Sequence, residues 1–244
     1  MQWFKIELLG NLILSEKTAT AGDHQSLDYI PATAIQGVIA SRAYQQMPKA
    51  EADQLVLLQG AQISDALPML GDEVGLPVPL AWHTDKAKII NDAFIPSKLA
   101  KKELAGSQPQ QIRSGYVTPS NIHFKPKMER HTKTAIDPNT GTVANGQLFN
   151  YQSIAHGQCY LFAVESSPEL SKKIQSLIEG KAFIGRSRSA EFGAVRIAAC
   201  PEPTLPSCTS SNTLLLLSDA QVIDSYGQPS ANPNHLGFGD IAYR

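Results

Sequence analysis

The stretch "QCYLFAVESSPELSKKIQSLIEGKAF", residues 158–183, decides the fold. Its first eight residues hold an apolar run, Cys159 to Val164, with aromatic and β-branched members, the composition of a buried strand. A helix signal follows: Ser167 stands at the N-cap position and Pro168 in the first turn. Leu170, Ile174, Leu177 and Ile178 recur on one helical face, and Gly180 ends the pattern. Residues 182–197, "AFIGRSRSAEFGAVRI", then read as strand, loop and strand.

Working outward, "WFKIELL" (3–9) alternates, with Phe4, Ile6 and Leu8 on one face and Lys5 and Glu7 on the other. "IPATAIQGVIASRAYQQM" (30–47) predicts a helix entered at Pro31 and capped by Thr33, with Ile35, Val38, Ile39 and Ala43 facing the core. Gly37 inside it costs about 1 kcal/mol relative to Ala, so a close backbone or ligand approach is expected there. "DPNTG" (137–141) suits a tight turn between two short extended arms. Strand, helix, strands, helix, strand is the order of an α+β, ferredoxin-like (RRM-like) domain with an antiparallel sheet.

The expected domain covers residues 1–200. Residues 17–29 are polar and read as a loop. Residues 48–122 read as a large irregular insertion with a helix near 50–59. A Pro/Ser/Thr linker spans 201–212. Beyond it, "TLLLLSDAQVID" predicts a strand, and 213–244 reads as an extension or the start of a second small subdomain.

Composition narrows the function classes. The 244 residues are 42% apolar, enough for a core, with a formal net charge of −1. Cys159, Cys200 and Cys208 form no CxxC pair and fit no zinc spacing, so a reducing, cytosolic setting is expected. The opening "MQWFKIELLG" lacks the pattern of a signal peptide, and no apolar stretch approaches the ~18 residues that cross a bilayer, so no membrane partner is expected.

Charge is unevenly distributed. Residues 98–133 hold eight basic side chains, Lys98, Lys101, Lys102, Arg113, Lys125, Lys127, Arg130 and Lys133, against two acids, Glu103 and Glu129. Tyr116, His123, Phe124 and His131 are interleaved. Cations with rings between them suit a polyanion carrying unpaired bases, although a solvated loop has the same composition. The loop "GRSRSAEFG" (185–193) is neither a Walker loop nor a GxGxxG fingerprint. Gly185 and Gly193 allow close backbone approach. Arg186 and Arg188 suit phosphates, Ser187 and Ser189 can donate hydrogen bonds, and Glu191 tempers the charge. The competing reading is a hairpin with a charged, exposed tip.

Three blocks carry a family resemblance. "YIPATAIQGVIASRAY" (29–44) resembles the "IPGSSLKGxxR" helix start of the RAMP superfamily of CRISPR-associated proteins. Here Ala32 replaces the glycine, Thr33-Ala34 the two serines and Gln36 the basic residue, while Arg42 stands for the helix arginine. "TAIDPNTGTVANGQLFNYQSIAHGQCYLFAV" (134–164) resembles the family hairpin, and "FIGRSRSAEFGAVRI" (183–197) its late glycine-rich loop. "LLLLSDAQVIDSYGQP" (214–229) looks like the Csx ten subtype, a relative of the subunit that caps the guide 5′ handle.

The resemblance implies a non-catalytic RNA-binding subunit of a type III CRISPR effector, holding guide RNA by its backbone for antiviral defence. Other effector subunits, and a target RNA, would be its further partners. The RNA-contacting set would be Arg42, Lys125, Lys127, Arg130, Lys133, Gly185, Arg186, Ser187, Arg188, Ser189 and Gly193. No cofactor is expected. The alternative is a RAMP-type endoribonuclease acting on target RNA or guide precursor. Asp23 or Asp28 would then serve metal-assisted cleavage, or His24 would act as general base, and only this alternative calls for a divalent metal. A metabolic ferredoxin-like enzyme is a third class, which a co-purifying small RNA would argue against.

Overall fold

The computed structural model describes residues 1–15, 23–57, 60–79, 82–85, 108–136, 141–186, 191–205, 217 and 222–236. The chain divides into one unit at Met1–Ser207 and another at Cys208–Arg244.

The first unit begins with β1 (Gln2–Leu8), β2 (Asp23–His24), α1 (Ala32–Gln46) and α2 (Lys49–Val56). Short strands follow: β3 (Ala61–Ile63), β4 (Leu67–Leu70), β5 (Glu73–Val74), β6 (Leu76–Pro77), β7 (His83–Asp85), β8 (Pro109–Gln111), β9 (Tyr116–Val117) and β10 (His123–Phe124). The last elements are β11 (Met128–Ile136), β12 (Val143–Ile154), β13 (Cys159–Ser166), α3 (Pro168–Ile178), β14 (Gly180–Phe183) and β15 (Ala194–Cys200).

The main sheet runs β14-β15-β1-β13-β4-β5, with β3 also on β13. Within it, β15, β1, β13 and β3/β4 are the four strands of a ferredoxin-like frame, antiparallel and ordered fourth, first, third, second. α1 and α3 supply the two crossovers. Alternation places the core as the sequence implies: Phe4, Ile6 and Leu8 are buried on one face of β1. Phe4 lies opposite Phe162 in register, and their rings stack at 5.2 Å. Ile35, Val38, Ile39 and Ala43 of α1 and Ile174, Leu177 and Ile178 of α3 close the other side of this core.

The α3 cap forms as expected, Ser167 Oγ accepting from the Leu170 N–H at 3.3 Å. The α1 cap differs. Pro31, not Thr33, is the N-cap, and no local side chain caps the helix. Instead Asp65 Oδ1 accepts from the Ala32 N–H at 2.7 Å, so a residue between β3 and β4 covers the helix end. The backbone approach expected at Gly37 does not occur, since a Cβ there would meet nothing within contact distance.

Residues 61–63 and 67–70 belong to the frame, although they fall inside the stretch read as insertion. The expected helix near 50–59 is α2. Beyond it, β10-β9-β6 and β7-β8 form small sheets around Val78, Ile112 and Val117. β11 and β12 pair over a far longer hairpin than two short arms, and β2 adds in parallel to β12. The hairpin tip, 137–140, lies outside the described residues.

In the second unit, Asp224 Oδ1 accepts from the Tyr226 and Gln228 N–H groups to shape a turn, followed by a 3-10 turn at Pro233–Leu236. Most of the strand expected at 213–224 lies outside the described residues.

Candidate nucleic-acid interface

The loop between β14 and β15 is anchored by backbone. The Ile184 N–H donates to Gly193 O at 2.9 Å, the Arg186 N–H to Ile13 O at 2.9 Å, and the Gly193 N–H to Asn11 O at 2.8 Å. Both glycines sit at positive φ, +80° at Gly185 and +83° at Gly193. A Cβ on Gly185 would collide with the Ile13 carbonyl oxygen, and one on Gly193 with that of Ile184. Their close approach is therefore to the protein's own backbone, and it holds the loop base against the segment that follows β1.

β11 packs onto this loop. Alternation puts Glu129, His131 and Lys133 on the loop-facing side and sends Arg130 and Thr132 the other way. Lys133 Nζ bonds Glu191 Oε2 at 2.5 Å and lies 4.8 Å from the centre of the Phe192 ring. That bond, and the lysine's charge, hold the Glu191 carboxyl below its usual range. His131 meets the buried Phe192 edge-on at 5.2 Å.

Asn11 is the hub beneath. Its Oδ1 accepts from the His156 backbone N–H at 2.9 Å, so its Nδ2 is the group that donates to Glu129 Oε2 at 2.7 Å. Nδ2 also lies 3.2 Å from His131 Nε2, which therefore acts as acceptor. The fully buried Ser153 hydroxyl completes the set, 2.8 Å from the same nitrogen. None of Asn11, Phe192, Ser153 or His156 was in the sequence-predicted set. The period-2 spacing of Glu129, His131 and Lys133 was the available signal.

The predicted residues fall into separate places. Lys133, Gly185, Arg186 and Gly193 gather at the loop, with Arg186 exposed. Ser187, Arg188 and Ser189 lie outside the described residues. Lys125 and Lys127 are exposed before β11, Lys127 being 4.0 Å from Glu129. Arg42 is used internally: its guanidinium donates to the carbonyls of Leu177 (2.5 Å), Glu179 (3.1 Å) and Lys181. Between α1 and the loop runs a groove of about 760 Å3 lined by Gly37, Ser41, Gln45, Phe183 and Phe192.

Of the alternative catalytic residues, Asp28 accepts from the Tyr116 hydroxyl at 2.8 Å, while its carbonyl takes the Tyr160 hydroxyl at 3.3 Å. Burial, then the Asp28 charge, push the pKa of both phenols up. Asp23 and His24 are placed by backbone pairing with Asn150 and Tyr151. Among the described residues, no group of three His, Cys, Asp or Glu is arranged to hold a metal. No described helix is long and apolar enough to cross a membrane.

A family model described as "RAMPs: RAMP superfamily" matches residues 5–196. No curated protein matches. Among solved structures, the chain is similar to one from a type III-B Cmr-beta complex bound to cognate target RNA and AMPPnP. The TM-score is 0.52 at 13% identity, covering 86% of this chain and 66% of that one. Chains from the same kind of complex, apo and bound to cognate target RNA, align with TM-scores of 0.48 and 0.49 at 10% identity, each covering 81% of this chain and 96% of the other. At such identities the likeness is one of fold.

Proposed function

The chain belongs to the RAMP superfamily, and from that premise we propose that it is a non-catalytic RNA-binding subunit of a type III CRISPR effector complex. It holds guide RNA by the sugar-phosphate backbone, with target RNA and neighbouring effector subunits as its further partners. The observation that carries this reading is Lys133. Its ammonium stands beside the anchored glycine-rich loop with an exposed carboxylate, Glu191, as its bonded partner. A phosphate can displace such a carboxylate, because an exposed ion pair gains little over two hydrated charges. Arg186 and Arg188 belong to the same loop in sequence. The similar fold in a complex described as bound to cognate target RNA supports the reading, as does the concentration of positive charge in residues 98–133. The subtype expectation rests on residues 214–229, which lie beyond the family match.

The test is the salt dependence of RNA binding. Each phosphate contact to a single strand contributes a slope of roughly 0.7 in log K against log salt. Lys133→Ala with Arg186→Ala and Arg188→Ala lowers affinity and flattens the slope by up to about 2. A folded triple variant with unchanged affinity and slope refutes the site. The non-catalytic part is tested by incubating the purified complex with labelled RNA. Intact RNA is expected. A specific product that disappears in Asp23→Ala, His24→Ala or Asp28→Ala, with binding intact, overturns it.

A further inference from the structure

A second groove, of about 360 Å3, lies beside β7 and β8 and is lined by Thr84, Gln111, Arg113, Ser114 and Lys125. Thr84 sits on β7 opposite Gln110 of β8. It is 2% exposed, and its hydroxyl has no hydrogen-bond partner among the described residues. A buried hydroxyl without a partner is a standing cost to the fold, which a bound ligand would offset. Arg113 and Lys125 are exposed, and neither forms an ion pair among the described residues. The Ser114 carbonyl, an acceptor that would repel an anion, is occupied by His123 Nε2 at 2.9 Å. Two cations, an unused hydroxyl and a masked acceptor select for an oxyanion.

We infer that this groove is a phosphate site, with Arg113 and Lys125 supplying charge and the Thr84 hydroxyl a neutral hydrogen bond. Its occupant is a backbone phosphate of single-stranded RNA. That occupant rests on the function proposed above, while the phosphate chemistry rests on the groove alone.

The full chain is tested in two arms. In the first, anisotropy of a labelled single-stranded RNA is followed against salt. Arg113→Ala with Lys125→Ala lowers the slope by roughly 0.7. Thr84→Val, which removes no charge, weakens binding about threefold to tenfold, as loss of one hydrogen bond does, at unchanged slope. In the second arm, inorganic phosphate raises the melting temperature of the native chain but not that of the Arg113→Ala, Lys125→Ala variant. Thr84→Val by itself raises the melting temperature in phosphate-free buffer, because the unpartnered hydroxyl is gone.

If the native chain binds no RNA but phosphate stabilises it through these residues, the phosphate site stands and the proposed function fails. If RNA binds with the same slope and affinity in all variants while phosphate stabilises only the native chain, the occupant is a free phosphate and the RNA assignment is overturned. If neither arm responds to the variants, or Thr84→Val lowers the melting temperature, the site is overturned.

Discussion

Arg42 and Lys133 both lie near the β14–β15 turn, yet they belong to different layers of the molecule. Arg42 projects from α1 and bonds three carbonyls around the end of α3, those of Leu177, Glu179 and Lys181. Those carbonyls include ones a helix leaves unsatisfied at its C-terminus, where a cation is also favoured by the helix dipole. Lys133 projects from β11 and meets one exposed carboxylate and one ring. The first arrangement has no cheap substitute, so it belongs to the frame. The second can be exchanged for a phosphate at little cost, which is why we propose it for the binding surface. Side-chain type alone does not separate a structural cation from a recognising one; the number and kind of partners do.

The comparison breaks most readily on the frame side. Phe162→Ala empties the stack with Phe4 in the buried core and lowers stability by about 3–5 kcal/mol in chemical denaturation. Gly193→Ala comes next: positive φ and the collision with the Ile184 carbonyl cost about 1–3 kcal/mol. The same substitution loosens the loop, so RNA affinity drops with stability. Arg42→Met keeps the stem and loses the three bonds. It costs about 1–2 kcal/mol, and hydrogen exchange accelerates at the end of α3. A variant that lost RNA binding at unchanged stability would move Arg42 to the binding layer.

pH probes a smaller effect. Burial depresses the His123 pKa, the bond to the Ser114 carbonyl opposes that shift, and Lys125 adds to it. The folded protein therefore favours neutral His123. Its contribution is complete above the unfolded value of about 6.5 and is lost as pH falls through the depressed folded value. Denaturation midpoints decline between about pH 7.5 and pH 5.5, and His123→Gln flattens that decline. The smallest stability effect is on the binding side: Lys133→Ala leaves the melting temperature unchanged while RNA affinity falls. A lowered melting temperature would make Lys133 part of the frame and erase the distinction.

Much of the frame was legible because its signals are local. The alternation of residues 3–9 and the helical faces of α1 and α3 can each be read within a dozen residues. So can the Ser167–Pro168 start. The frame's second strand was not legible: β3 and β4 have three and four residues, one of them Pro68, too few for a period to show. They are strands because β13 offers them an edge. The α1 cap is not legible locally for a related reason. Thr33 is a good capping residue by type, but Asp65 reaches the helix end from 33 residues away.

The candidate site was legible in its parts and not in its assembly. The glycines of the loop and the lysine of β11 stand out in the sequence. Nothing local says that Asn11 joins them, its carbonyl taking the Gly193 N–H and its amide reaching Glu129 and His131 of β11.

The order of elements, the buried faces, the concentration of charge and the family resemblance come from the sequence by itself, because each is a property of neighbours along the chain. Which cation is tied down, which glycine answers to its own backbone, and which short segments become strands were decided only by the tertiary structure. Those outcomes depend on hydrogen-bond partners and sheet edges that lie far away in the chain and meet only when it folds.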